Sequence, residues 1–297
     1  GIVQQDKKET ECDFVIAMLQ SLSLKEYSFS DFDSIGTLIV DEAHHICAKV
    51  FSQSLFKMCP KHVFGLSATP TRKDGLTKVL HWFMGPTFFE VERKNQEQVE
   101  VFPIEYRCDR FQDPPPCTRF GKLSLATMIT ELTEDRQRNI VILQLIKDIV
   151  KTTRQVLVLS DRRHHCEVMH QSFKKTSGLY MGGMKEADLA ESSKKRIIFA
   201  TFSQAHEGLD IPSLDTVILA TPKSDIVQSI GRIMRETKGK KNNPHIYDIF
   251  DQWSICHAMY KKRLKVYKQG GFHIPILNSQ KNEDETPFKK GECFINI

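Results

Sequence analysis

An acidic pair follows an apolar segment in the first third of the chain. Residues 36–40 favour a strand, and they run directly into Asp41-Glu42-Ala43-His44-His45. In an open parallel sheet, ligands bind beyond the carboxyl ends of the strands, so these acids are expected at a binding edge. Asp41 suits a Mg²⁺ ion held through water, because Mg²⁺ prefers hard oxygens and keeps much of its hydration. Glu42 could orient a water for phosphoryl transfer. A charged strand-to-helix turn is the alternative.

A second apolar segment ends in small hydroxyl residues. Residues 63–66 precede Ser67-Ala68-Thr69-Pro70-Thr71-Arg72, whose proline cannot continue the hydrogen bonding of a strand. The hydroxyls of Ser67 and Thr69, with the small Ala68 between them, allow close packing against the neighbouring acidic turn. Taken alone, the segment is equally typical of an ordinary strand-to-loop transition.

The second half of the chain holds two further motifs. Residues 197–200 form an apolar run that ends at Thr201, where a hydroxyl and backbone amides could meet a nucleic-acid phosphate. Downstream, Gly208 permits close approach of a ligand, and Asp210 supplies a hydrogen-bond acceptor near a nucleotide.

Two arginines are predicted to share one face of a helix. Arg232 and Arg235 stand at positions i and i+3, and Gln228 lies one turn before Arg232 on the same side. Two guanidinium groups presented together can stabilise charge on a transferring phosphoryl group. A solvent-exposed basic helix is the alternative for this segment in isolation.

The elements that position these residues follow an alternating pattern. Short β-rich runs alternate with longer helical patterns, which predicts an α/β fold of βαβ units and parallel sheets. Strands are predicted at residues 14–18, 36–40, 63–66, 156–159, 197–200, 216–219 and 246–249, and helices at 140–149, 225–235 and 254–268. Domains are predicted at residues 1–92 and 135–272, with an interdomain connection at 93–134 and a polar tail at 273–297.

Charge is distributed unevenly along the chain. The net charge is +5, but residues 1–134 hold 15 Lys and Arg against 19 Asp and Glu, and residues 135–297 hold 27 against 18. A basic second half suits binding to a phosphate backbone, with an ordinary basic surface as the alternative. No apolar run is long enough to span a membrane. The eight cysteines form no C-x-x-C pair, which favours reduced thiols in a cytoplasmic protein.

The motifs occur in one order, DEAHH, SATPTR, ATF…EGLDIP and QSIGRIMR, and in this order the chain resembles the superfamily 2 helicases. Residues 17–22, 65–76 and 180–185 resemble the helicases of large cytoplasmic DNA viruses, in particular the poxvirus transcript-release helicase and its African swine fever virus counterpart. Those proteins are similar to the xeroderma pigmentosum B type. The resemblance implies two RecA-like domains, ATP and Mg²⁺ as cofactors, and 3′-to-5′ movement on nucleic acid, DNA rather than RNA. It also implies a role in the host cytoplasm, either beside the viral transcription machinery in transcript release or termination, or in DNA metabolism.

The resemblance also implies roles for single residues. Asp41 and Glu42 would serve Mg²⁺ and the attacking water, and His44 would couple the nucleotide site to the facing domain. Ser67, Ala68 and Thr69 would link hydrolysis to strand separation. Gly208 and Asp210 would lie beside the nucleotide with Gln228, Arg232 and Arg235, of which Arg235 would be the arginine finger. The nucleic-acid groove would comprise Gln20, Ser21, Arg72, Ser160, Arg162 and Thr201.

The chain departs from the family pattern at one point. It contains no G-x-x-x-x-G-K-[ST] segment, so no backbone cradle or lysine for the ATP phosphates is predicted, and the chain alone is expected not to hydrolyse ATP. The first domain is expected to be incomplete and to expose an edge or an apolar face. Two alternatives stay open: an ATP-independent nucleic-acid-binding scaffold, and the motor part of a restriction or remodelling complex.

The sequence also predicts whether two clusters of side chains are buried or exposed. The aromatic residues Trp82, Phe83, Phe88 and Phe89 are expected in a core rather than in a platform for stacked bases. Residues 261–263, two lysines and an arginine, are expected to form a solvated stripe on the last helix.

Overall fold

The computed structural model describes residues 1–67, 75–91, 98–207, 209–234 and 242–275. Contacts divide the chain into two units, Gly1–Glu92 and Arg93–Ile297. Both units combine short strands with helices, and the strands pair in parallel except Ile2–Gln4 with Lys7–Lys8, which confirms the predicted α/β class.

The first unit contains two small sheets. One has the order β2-β1-β3, and the other pairs β4 with β5 in parallel. Its elements are β1 (Ile2–Gln4), β2 (Lys7–Lys8), β3 (Ile16–Ala17), α1 (Leu19–Leu24), β4 (Thr37–Val40), α2 (Lys49–Ser52), β5 (His62–Gly65) and α3 (Thr77–Met84), with 3-10 helices at Phe29–Asp31, Ala43–Cys47 and Gln53–Lys57.

The β4–β5 sheet is covered on one face and bare on the other. Val40 packs with buried Ala43, Ile46, Cys47 and Leu80 in a small core. On the opposite face, Ile39 is 62% exposed and Phe64 is 41% exposed. Parallel strands are ordinarily buried on both faces, so an exposed apolar face, as the sequence suggested, is present here.

The second unit is built on a six-stranded parallel sheet. The strand order is β6-β11-β10-β7-β9-β8, and each neighbouring pair is parallel. The strands are β6 (Glu100–Tyr106), β7 (Val156–Ser160), β8 (Ser177–Tyr180), β9 (Ile197–Thr201), β10 (Thr216–Leu219) and β11 (His245–Asp251). The helices are α4 (Leu125–Glu134), α5 (Arg136–Ile149), α6 (Arg163–Gln171), α7 (Glu186–Ser193), α8 (Phe202–Glu207), α9 (Val227–Ile233) and α10 (Ser254–Gln269), with a 3-10 helix at Asp109–Gln112.

Alternate residues of the central strands enter two separate cores. Leu157 and Leu159 of β7 pack with Ile230 of α9, whereas Val156 and Val158 pack with Ile146 of α5. Successive side chains of a strand point to opposite faces, so a sheet covered by helices on both sides requires an uninterrupted apolar run. This explains why the central strands were predictable from short apolar segments.

Helix α5 begins before the apolar residues from which the helix was predicted. Asp135 caps the helix, because its Oδ1 accepts hydrogen bonds from the backbone N–H groups of Gln137 (2.9 Å) and Arg138 (3.2 Å). An aspartate at this position satisfies N–H groups that have no partner within the helix. The helix predicted for residues 140–149 therefore begins at Arg136.

The stretch 93–134 differs from the interdomain connection that the sequence predicted. Within it, β6 pairs along its whole length with β11, from Glu100 opposite His245 to Tyr106 opposite Asp251. The amphipathic helix α4 buries Met128, Ile129 and Leu132 in the same unit. Residues 100–106 and 125–134 are thus structural parts of the second unit. The sequence did not indicate β6, because a strand at the edge of a sheet pairs with one neighbouring strand and carries a weaker apolar pattern.

Candidate functional site

The acidic turn of the first unit is clamped between two strand ends. The backbone N–H of Leu66 donates to the carbonyl of Val40 at 2.8 Å, and that of Ala43 donates to the carbonyl of Leu66 at 2.9 Å. Between these bonds Glu42 adopts a left-handed conformation, with φ 47° and ψ 47°. Such a conformation is uncommon for a residue with a Cβ atom and often accompanies a functional turn.

A glycine lets the neighbouring strand approach this turn. A Cβ atom on Gly65 would lie only 2.4 Å from Met84 Sδ and 3.0 Å from Ala43 Cβ. A side chain here would require the Met84 side chain to move and Ala43 to shift slightly, so glycine favours the close approach of the end of β5 to the acidic turn. The residue that follows the clamp, Ser67, is thereby brought beside the turn.

His44 joins the two predicted motifs. Its Nδ1 lies 3.0 Å from Ser67 Oγ and 3.3 Å from Glu42 Oε2. The structure therefore places an acid, an imidazole and a hydroxyl in one contact network at the carboxyl end of the β4–β5 sheet. Asp41 is solvent-exposed beside it, and its Oδ1 accepts the backbone N–H of Glu42 at 2.9 Å.

The donor set at this turn suits a cation that is bound mainly by water. No group of three or more His, Cys, Asp or Glu side chains among the described residues could hold a metal ion by itself. An exposed carboxylate at a strand end can contribute one hard oxygen, and Mg²⁺ commonly takes its remaining oxygens from water and phosphate. Asp41 is the residue at this turn that could act in this way.

In the second unit, Thr201 lies at the mouth of a cleft at the carboxyl edge of the sheet. Its Oγ1 is 3.2 Å from Ser203 Oγ, and its side chain is nearly buried. The cleft is lined by Asp161, Arg163, Gly182, Thr201, Phe202, Ser203 and Lys223. The position of Thr201 at a strand end is the one that the sequence predicts.

Ser160, predicted in the nucleic-acid groove, is in the interior and 1% exposed. Its Oγ accepts the backbone N–H of Arg162 at 3.1 Å and lies 3.0 Å from Nδ1 of His165. Nε2 of His165 lies 3.0 Å from Oδ1 of Asn139, whose Nδ2 donates to the carbonyl of Thr133 at 2.9 Å. A neutral imidazole therefore donates from Nε2 and accepts the Ser160 hydroxyl at Nδ1.

Burial keeps His165 neutral, because desolvation and then the positive charge of Arg138 lower its pKa from 6.5 to about 3. The Arg162 guanidinium is also engaged within the unit, since it donates to the carbonyl of Ala126 at 2.8 Å and to Thr130 Oγ1 at 3.3 Å. The network around Ser160 thus orders the start of α6 against α4 and α5.

The described part of the arginine motif lies on α9. Gln228 and Arg232 are partly exposed, and Nε of Arg232 donates to the carbonyl of Ala205 at 3.0 Å. Asp210 is exposed after α8.

In the first unit Gln20 is exposed on α1, and Ser21 Oγ accepts the backbone N–H of Gln5 at 2.9 Å. Five predicted site residues lie outside the described ranges: Ala68, Thr69, Arg72, Gly208 and Arg235.

The prediction of a core position is wrong for three of the four aromatic residues. Trp82 is 79% exposed, Phe88 is 82% exposed and Phe89 is 74% exposed. Phe83 is partly buried, with its ring centroid 5.6 Å from that of Phe56. The reason is that the helix and the segment after it have no layer of structure over their outer side within the described first unit.

Sequence reasoning missed two buried ion pairs in the second unit. Arg138 and Asp251 form a two-pronged pair at 2.7 Å and 3.1 Å, and Arg263 Nη2 lies 2.7 Å from Asp248 Oδ1. Residues 261 and 262 are exposed as predicted, but Arg263 is 1% exposed, so the prediction of a solvated stripe is wrong for it. Two aspartates within the apolar strand HIYDIFD were the available signal, because buried carboxylates require partners.

Comparison with known proteins supports the helicase resemblance. The family described as "Type III restriction enzyme, res subunit" matches residues 1–72. A candidate ATP-dependent RNA helicase of Acanthamoeba polyphaga mimivirus is 35% identical over 274 residues, covering 89% of this chain and 52% of the relative. A protein of the same description from African swine fever virus is 23% identical over 320 residues, covering 98% of this chain and 61% of the relative.

A solved helicase structure shares the fold of this chain. The chain is similar in fold to Mycobacterium smegmatis helicase Lhr bound to single-stranded DNA and AMP-PNP, with a TM-score of 0.61, 16% identity and coverage of 93% of this chain and 38% of Lhr. The chain spans about half the length of its mimivirus relative. Across the described ranges, none of its helices combines the length and apolarity needed to cross a membrane.

Proposed function

We propose that this chain is part of the motor of an ATP-dependent nucleic-acid helicase. The observation that carries the proposal is the contact of His44 Nδ1 with both Ser67 Oγ at 3.0 Å and Glu42 Oε2 at 3.3 Å. If the charge near Glu42 changes during hydrolysis, His44 would change its hydrogen bonds. Through its contact with Ser67, this change would reach the segment that follows β5. The network therefore offers a direct route from a nucleotide site to a segment that contacts nucleic acid.

The proposed roles follow the chemistry of each group. Asp41 would hold Mg²⁺ through water, and bound Mg²⁺ would neutralise charge on the ATP phosphates. Glu42 would orient the attacking water. Gln228, Arg232 and Arg235 would contact the nucleotide, with Arg235 as the arginine finger that stabilises transition-state charge.

The proposed substrate is a nucleic-acid backbone tracked 3′ to 5′ in viral transcription, with DNA preferred over RNA. The motif order supports movement on nucleic acid, and phosphate contacts carry no information about base identity. The mimivirus and African swine fever virus relatives bear the name of RNA helicases, so both nucleic acids must be assayed.

The first test is binding of single-stranded DNA and RNA to the 297-residue chain, followed by fluorescence anisotropy between 50 and 200 mM salt. We expect the logarithm of the affinity to fall linearly with the logarithm of the salt concentration, because basic side chains release counterions when they bind phosphates. Binding that does not depend on salt would contradict a backbone-tracking surface.

The second test addresses hydrolysis in a polypeptide that also carries a G-x-x-x-x-G-K-[ST] segment ahead of residue 1. Glu42→Gln should reduce turnover by roughly 10² to 10⁴, the range for loss of a general base. Asp33→Asn, at an exposed acid outside the motif, is the matched control and should leave turnover unchanged. An equal effect of both substitutions would contradict the proposed role of Glu42, and absence of turnover in the parent polypeptide would favour the scaffold alternative.

A further inference from the structure

Two buried arginines hold the segment that follows β10. Arg138 Nη1 donates to the carbonyl of Ala220 at 2.7 Å, and Arg263 Nη1 donates to the carbonyl of Lys223 at 2.6 Å. Both guanidiniums are fixed from the other side by their ion pairs with β11. The backbone of residues 220–223 therefore has anchors at both ends, which orders the lysine that it carries.

The side chain of this lysine is also positioned. The backbone N–H of Asp161 donates to Oγ1 of buried Thr221 at 2.9 Å, which joins the segment to the end of β7. Lys223 Nζ donates to Asp161 Oδ1 at 3.0 Å, and it lies 5.3 Å from the centroid of the Phe202 ring. The ammonium group is thus held at a defined place by a carboxylate and an aromatic face.

That place is the cleft that contains Thr201. Lys223, Asp161 and Thr201 all line it, together with the backbone of Gly182. The Lys223 and Asp161 side chains are 32% and 26% exposed, so both remain accessible to an incoming anion. An ammonium has three donors and a carboxylate uses few of them, so a phosphate oxygen could take the place of Asp161.

We propose that Lys223 binds a backbone phosphate of nucleic acid in this cleft and that Asp161 competes with that phosphate in the free protein. This inference rests on the proposed function and adds a binding residue and its internal competitor. The Asp161 carboxylate lowers affinity in two ways: it must release Lys223, and it repels the phosphate that replaces it. The hydroxyl of Thr201 lies in the same cleft, where it can donate to the same backbone.

The test is anisotropy titration of labelled single-stranded DNA and RNA with the 297-residue chain and its variants. Lys223→Ala should weaken binding roughly five- to tenfold at 0.1 M salt and lower the salt slope by about 0.7, the contribution of one phosphate contact on a single strand. Lys223→Arg should retain most of the affinity, because it keeps the charge. Asp161→Asn should tighten binding several-fold, and this gain should shrink when Lys223 is alanine.

The matched control is Lys147→Ala. Lys147 is exposed near the end of α5, which precedes the amino end of β7, so it lies at the edge of the sheet opposite the cleft. Equal effects of Lys147→Ala and Lys223→Ala would overturn the proposal, as would an Asp161→Asn gain that is undiminished without Lys223. Absence of any binding by the wild-type chain would instead overturn the proposed function. Far-UV circular dichroism verifies folding of each variant.

Discussion

The Arg263–Asp248 pair permits a quantitative prediction about the stability of the second unit. Arg263 donates from Nε and Nη2 to the Asp248 carboxylate at distances from 2.7 to 3.1 Å, and the Tyr267 hydroxyl donates to Oδ2 at 2.7 Å. Asp248 is 0% exposed. Replacement of Arg263 by Met leaves the carboxylate buried with the Tyr267 hydroxyl as its remaining side-chain donor.

The expected cost follows from the unpaired charge. Removal of one partner of a buried ion pair typically costs about 3–5 kcal/mol, because the other charge stays desolvated. With a urea dependence of roughly 2–3 kcal/mol per M for a unit of this size, the unfolding midpoint should fall by roughly 1 to 2.5 M. A loss of this size is a large fraction of the free energy of unfolding of a typical domain, about 5–15 kcal/mol.

The assay can be confined to the second unit. The chain has two tryptophans, Trp82 in the first unit and Trp253 in the second, and Trp253 is buried and stacked on Phe111. In a Trp82→Phe background, the fluorescence of Trp253 reports unfolding of the second unit. Lys262→Met, at an exposed position on the same helix, is the control and should change stability by less than about 0.5 kcal/mol.

A double substitution separates the unpaired charge from loss of packing. Asp248→Leu combined with Arg263→Met removes both charges, so it should restore most of the stability that Arg263→Met loses. The reasoning would be refuted if Arg263→Met cost no more than Lys262→Met, since Asp248 would then not be effectively buried. It would also fail if the double variant were less stable than Arg263→Met alone.

Two further predictions concern buried titratable groups. Because the pKa of His165 is lowered to about 3 in the folded chain, the unfolded chain takes up an extra proton below about pH 6.5, and stability should decline as the pH falls towards 3. His165→Gln should remove up to ~1.4 kcal/mol per pH unit of that slope in urea titrations, and an unchanged slope would contradict it. Burial raises the pKa of both Cys166 and Cys256 to about 12, so a thiol reagent at pH 8 should modify exposed Cys12 and spare these two until the chain unfolds. Mass spectrometry of the modified peptides tests this, and early labelling of Cys166 would refute it.

The local patterns of the sequence determined the elements that carry the motifs. The strand predicted at residues 216–219 coincides with β10, the acidic turn follows β4, and Thr201 is the last residue of β9. These features were predictable because a buried parallel strand needs a short apolar run, and a ligand-binding edge needs polar residues directly after it. The order of the motifs along the chain is the basis of the helicase resemblance, which the viral relatives support.

Tertiary structure alone decided which polar residues are exposed and which are buried. Arg138 pairs with Asp251 across 113 positions, and β6 joins the sheet beside β11, which lies more than a hundred residues later in the chain. No local spacing encodes such partners, because they meet only when the sheet is assembled. The same cause placed Ser160 in the interior, left Trp82 exposed and set Lys223 beside Asp161: burial and pairing depend on neighbours that are distant in sequence.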